Sequence, residues 1–133
     1  MTFDPQAIFA NLTEKERLKG HHSAEGRAIR TLSRAMSGWS SGNLSALDVV
    51  VLCDQSIEDW LKAGLQVSAW STQDFPMLLE KAVGKGLITR MEAIRLQKIH
   101  NARARARYEG SVISAHEVET VLEFCIQLVE KYW

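Results

Sequence analysis

The run Ala46-Leu47-Asp48-Val49-Val50-Val51-Leu52-Cys53-Asp54-Gln55-Ser56-Ile57-Glu58-Asp59-Trp60-Leu61-Lys62 carries two patterns at once. Leu47, Val50, Val51, Ile57, Leu61 and then Leu65 recur at helical spacing. Val49, Leu52, Cys53 and Trp60 cover much of the remaining circumference. A helix apolar on most sides belongs in the middle of a protein, with other helices around it. Asn43 or Ser45 suits the N-cap, so the spacing predicts a helix from about Ser45 to Leu65.

Moving outward, the same rules mark further helices. Residues 66–71 read as a connector, and a shorter helix follows from about Gln73 to Gly84, with Phe75, Leu78, Leu79, Ala82 and Val83 as its apolar set. Gly84 and Gly86 end it. Thr89 caps a helix that runs to about Tyr108 and stops near Gly110. Ser114, with Glu117 three residues on, forms a capping box for the last helix. Along it Val118, Val121, Leu122, Cys125, Leu128, Val129 and Tyr132 form one stripe. Phe124 and Ile126 fall beside that stripe, where they widen the core contact or face another subunit. Upstream, residues 37–43 read as a Ser/Gly connector. Residues 5–36 read as one weak helix or as two broken near Gly20. Pro5 and Pro76 both suit a first helical turn. No segment sustains two-residue alternation. The expectation is one all-α domain over residues 1–133, an antiparallel bundle of about four to six helices. Residues 1–43 form its N-terminal helical part and connector, and 44–133 its core.

Sixteen basic and sixteen acidic side chains cancel. Net charge therefore gives no bulk attraction to nucleic acid or anionic membrane. Residues 1–11 lack a basic-then-apolar leader pattern, and no apolar run approaches membrane-spanning length. A cytoplasmic location without membrane partners is expected. Cys53 and Cys125 lie in separate apolar helices and are expected as buried, reduced thiols. No Cys/His spacing suggests a metal, and His21 and His22 read as surface residues. No cofactor is expected. Of the four tryptophans, Trp39, Trp60, Trp70 and Trp133, the pair Trp60 and Trp70 suits the core or its edge. Tyr132 and Trp133 suit docking of the terminus or an interface.

Local charge is less balanced. The segment after Thr89 carries Arg90, Arg95, Lys98, Arg103, Arg105 and Arg107 against Glu92. The last helix carries Glu117, Glu119, Glu123 and Glu130 against Lys131. These charges solvate outer faces and exchange salt bridges, or the arginines form a site for phosphates, to which they offer a planar fork. Ala102, Ala104 and Ala106 alternate with arginines and let a ligand approach the turn. His100, Arg103 and Arg107 share one helical face at three- and four-residue spacing. A neutral imidazole so placed can act as a general base. Asp54 and Glu58, four apart, interrupt the apolar stripe of the central helix. A buried carboxylate needs a cationic or hydrogen-bonding partner, and the Arg-rich helix can supply it. The pair then either fixes helix register or orients Arg and His side chains at a site.

The chain from Leu44 to Trp133 resembles the HEPN (higher eukaryotes and prokaryotes nucleotide-binding) superfamily of helical domains. The likeness lies in Ala46–Lys62, in Phe75-Pro76-Met77-Leu78-Leu79 and in Ile99-His100-Asn101-Ala102-Arg103-Ala104-Arg105. The last is similar to the family's Arg-Asn, few residues, His signature. The resemblance implies an antiparallel, often dimeric bundle; in catalytic members the Arg and His meet at a dimer cleft and cut RNA without metal. Other members bind or assemble without catalysis. Aligned on Asn101, this chain has His100 where the family has Arg, and Arg105 near where it has His. In a second register Arg95 and His100 are separated by four residues but lack the following Asn. The residues so implicated are His100, Arg95 and Arg105 for catalysis and Asn101, Arg103, Arg107 and Lys98 for RNA or anion binding, with Asp54 and Glu58 in support. Three expectations follow: a dimer that binds RNA or a nucleotide, a non-catalytic interaction module with a protein partner of the toxin–antitoxin kind, and a ribonuclease.

Overall fold

A computed structural model describes residues 4–68, 73–108, 110 and 112–132. Six helices follow in order: α1 (Pro5–Lys19), α2 (Ala24–Ser40), α3 (Ala46–Gly64), α4 (Phe75–Gly84), α5 (Arg90–Tyr108) and α6 (Ala115–Tyr132). Among the described residues there is no strand, and no helix is long and apolar enough to cross a membrane. The all-α bundle is as the periodicity predicts. Trp70 and Trp133 lie outside the described residues.

Short polar side chains start the helices. Asp4, Ser23, Ser45 and Asp74 each accept an amide hydrogen bond at the first turn of α1 to α4. Asp48 returns the bond at α3, completing a capping box. Pro5 and Pro76 sit in first turns. The N-terminal segment is two helices, broken at Gly20, whose φ of +95° favours glycine.

α3 is the hub and packs on α2, α4, α5 and α6. Its buried face differs in detail from the predicted one. Val49, Cys53, Ser56 and Trp60 join Val50, Ile57 and Leu61 inside, whereas Leu47 and Val51 are half-buried. Ser56 is tolerated in the core because its hydroxyl donates to the Ala28 carbonyl of α2 at 2.6 Å. Cys53 and Cys125 are buried and unbridged. A contact with the Cys125 thiol, together with full burial, pushes the Cys53 thiol well above its usual range.

Two expectations need correcting. Residues 37–40 are not connector; α2 continues through them to Ser40. The half-buried Trp39 packs against the core, and the Gly38 carbonyl receives the Asn43 and Leu44 amides, so tertiary packing overrides the poor helix propensity of Ser and Gly. α4 begins at Phe75, not Gln73, because the Asp74 side chain takes the cap. Of the two alternatives for Phe124 and Ile126, the structure has the first: at 5% and 3% exposed they widen the core contact.

Glu92 ties the last two helices together. It caps α5 reciprocally with Thr89, through bonds of 2.9 and 3.1 Å. It also accepts Tyr132 Oη at 2.5 Å and Lys131 Nζ at 3.0 Å from the end of α6. The Tyr132 ring lies 5.8 Å from that of Trp60, so Tyr132 packs on the edge of the core. Burial opposes ionisation of Glu92, but the Tyr132, Thr89 and Lys131 bonds outweigh it and hold the carboxyl below its ordinary value. A lowered carboxyl stabilises the fold above the unfolded value and loses that contribution as pH falls through the folded one. Glu92→Gln should therefore lower stability by about 1 kcal/mol at neutral pH. It should also flatten the loss of thermal stability expected of the wild type below about pH 4. Thermal melts of both proteins across the acid range measure this.

Candidate nucleic-acid interface

Asp54 lies in the middle of α3 and is 3% exposed. Its surroundings come from the sequence of α5, where Ala93, Leu96 and Ile99 face the core. Continuing that face by one and four residues from Ile99 brings His100 and Arg103 over Asp54. His100 Nδ1 stands 3.0 and 3.2 Å from the two carboxylate oxygens, and Arg103 Nη1 donates to Oδ2 at 2.8 Å. One buried anion thus holds two side chains of α5.

Phe75, the first residue of α4, stacks on His100 with ring centroids 4.5 Å apart and planes 16° apart. The imidazole is fixed by a carboxylate at one nitrogen and an aromatic face on one side. A bond from Nδ1–H to a carboxylate leaves Nε2 as the unprotonated nitrogen of the neutral ring. The side chain of His100 keeps 34% of its surface exposed, and that of Arg103 keeps 26%. This arrangement can accept a proton at Nε2 and can present a guanidinium edge to an anion.

The remaining candidates do not join it. Glu58 is not in the core: its side chain is 29% exposed and pairs with Lys62 at 3.7 Å, one turn along its own helix. Arg95 turns to α6, where its guanidinium lies 3.9 Å over the Phe124 ring. The Arg95–His100 pairing of the alternative register is therefore not made within one chain. Asn101 accepts a bond from Gln97 at 3.0 Å on the solvent side and does not orient His100. Lys98, Arg105 and Arg107 are exposed, and no acidic side chain among the described residues pairs with them. Arg107 continues the His100–Arg103 face one turn further, whereas Lys98 and Arg105 leave from the opposite side.

The site is open. Five surface cavities of about 90 to 590 Å³ all lie away from His100. Among the described residues no group of three or more His, Cys, Asp and Glu side chains could hold a metal ion. The sequence reading found Asp54, His100 and Arg103 but missed Phe75. No family model, curated protein or solved structure matches the chain.

Proposed function

We propose that this chain is a HEPN-like helical module that binds single-stranded RNA phosphates through the second half of α5, as a homodimer. The observation that carries the reading is the Asp54 anchor. It fixes His100 and Arg103 at the bundle edge, and Arg107 then continues the same face with a guanidinium that lies 5.8 Å from the Tyr108 ring centroid and meets no acidic side chain among the described residues. The bundle thus neutralises one cation of this face structurally and leaves the next for a ligand. Lys98 and Arg105 extend the positive field around the helix. Alanines between the arginines keep the turn narrow enough for a backbone to approach. Met77, Met91 and Ile94, 49%, 70% and 44% exposed on α4 and α5, are apolar surface of the kind a second copy covers.

Fluorescence anisotropy with a labelled single-stranded RNA tests the reading. The wild type should bind, and Arg107→Gln should weaken binding about tenfold at low salt. A wild type with no affinity, or an Arg107→Gln protein with unchanged affinity, contradicts it.

One observation favours a second reading, metal-free RNA cleavage. A carboxylate behind Nδ1 is the arrangement that orients an imidazole as general base. His100 Nε2 would take the ribose 2′-hydroxyl proton, the 2′-oxygen would attack phosphorus to form a 2′,3′-cyclic phosphate, and the 5′-oxygen would leave as the hydroxyl, its proton returned from His100 through solvent. Arg107 would offset the charge developing on the phosphorane. Cleavage by the wild type and its loss in His100→Ala, with RNA affinity retained, would establish this reading. Binding without cleavage would leave the module non-catalytic.

A further inference from the structure

The chain has two tyrosines, in opposite surroundings. Tyr132 packs on Trp60 and donates its hydroxyl to Glu92. Tyr108, the last residue of α5, is 79% exposed and is not among the side chains packed on the core. Its hydroxyl has no hydrogen-bond partner among the described residues. A single exposed aromatic is ordinary by itself. What sets Tyr108 apart is its neighbours.

The Arg107 guanidinium stands 5.8 Å from the Tyr108 ring centroid, within cation–π range. Going around the helix, Tyr108 falls between Arg107 on one side and Arg105 on the other. Neither guanidinium meets an acidic side chain among the described residues. An open aromatic face is thus flanked by two cations that the fold itself does not neutralise.

We infer that Tyr108 is a stacking platform for an unpaired nucleobase, so that the ligand of α5 is RNA with its bases free rather than a duplex. The inference rests on the RNA reading above and names what that reading leaves open. Guanidiniums alone attract any polyanion, because the phosphate term carries no information about bases. A ring adds such information, since only a base outside a helix has a face to offer it. The placement of the charges also favours a strand over an anionic membrane. Arg107 and the pair Lys98 and Arg105 lie on opposite sides of α5, and a flat surface meets only one side, whereas a flexible strand can follow both.

Anisotropy titrations with labelled oligoadenylate, an abasic strand of equal length and charge, and an A-form duplex test the inference. The wild type should bind oligoadenylate about tenfold more tightly than the abasic strand. The duplex should gain nothing from the ring. Tyr108→Ala should lose the preference but keep its affinity for the abasic strand and its melting temperature. Tyr108→Phe should keep the preference, because stacking uses the ring and not the hydroxyl. In NMR spectra the Tyr108 ring protons should move upfield on adding oligoadenylate, and those of Tyr132 should stay. Equal affinity for both strands, or a preference intact in Tyr108→Ala, overturns the stacking role and leaves the phosphate reading standing. Binding of neither strand overturns both. Phosphatidylglycerol vesicles that bind the wild type but not Tyr108→Ala, with RNA affinity unchanged, would assign the ring to a lipid surface and overturn the stacking role as well.

Discussion

Arg103→Met should destabilise the protein by about 2 to 3 kcal/mol, more than the loss of any other α5 cation. The reason is the asymmetry of a buried ion pair. The Asp54 side chain is 4% exposed, so without Arg103 a buried carboxylate faces only the His100 N–H. Breaking a fully buried pair in this way costs about 3 to 5 kcal/mol. The 26% exposure of the Arg103 side chain means that water softens the loss. Removing the anion should cost less, because Arg103 and His100 are both partly wetted and can turn to solvent. Asp54→Asn keeps the shape and an acceptor oxygen, so it should cost about 1 kcal/mol. The double variant Asp54→Leu/Arg103→Met should be more stable than Arg103→Met alone, as apolar replacement of a buried pair often is. Urea unfolding of the wild type, Arg103→Met, Asp54→Leu and Asp54→Leu/Arg103→Met forms the cycle that measures the coupling. Equal, additive losses would show that Asp54 and Arg103 do not depend on each other.

Gly26→Ala should be comparably damaging, by about 2 to 3 kcal/mol. A Cβ at Gly26 would stand 2.0 Å from the Gly20 carbonyl oxygen and 3.0 Å from both its carbon and Ser23 Oγ. Backbone cannot rotate away as a side chain can. The carbonyl is also held, by the Ser23 amide at 3.1 Å and the Ser23 hydroxyl at 2.8 Å. The α1–α2 corner must therefore open, and Leu12, Ile29 and Leu32, all 0% exposed, lose packing. Gly84→Ala is the control. Nothing lies within 4 Å of a Cβ there, so the better helix former should stabilise the protein by up to about 1 kcal/mol. Thermal melts moving down for Gly26→Ala and level or upward for Gly84→Ala are the expected pair. A Gly26→Ala protein as stable as wild type would mean that the corner is looser than its geometry.

Most of this architecture could be read from spacing. Val50, Ile57 and Leu61 mark the hub helix, and the Asp and Ser caps mark the starts of most helices, because both signals are local. Asp54 was legible for a different reason: an acid within an apolar stripe demands a partner, and the nearest cationic helix supplied two. Glu58 looked identical in sequence. Its four-residue offset from Asp54 turned it toward Lys62 and the rim, a rotation that depends on which side of α3 each neighbour covers. Arg95 misled likewise, because the attraction of the Phe124 ring is set by the packing of α6 and leaves no trace in α5 itself. The Glu92 clamp and the Phe75 stack share this origin. Each joins residues far apart in sequence, and periodicity does not carry such contacts.

The claim that everything functional rests on is that α5 from its midpoint onward holds phosphates around its circumference, with Arg107 on the His100 side and Lys98 and Arg105 on the opposite side. The salt dependence of binding to single-stranded RNA tests it most directly. Three such contacts predict that log K falls with log salt at a slope of about −2, and that Arg105→Gln/Arg107→Gln brings it to about −0.7. An affinity indifferent to salt, or a slope unchanged in the double variant, would contradict the claim.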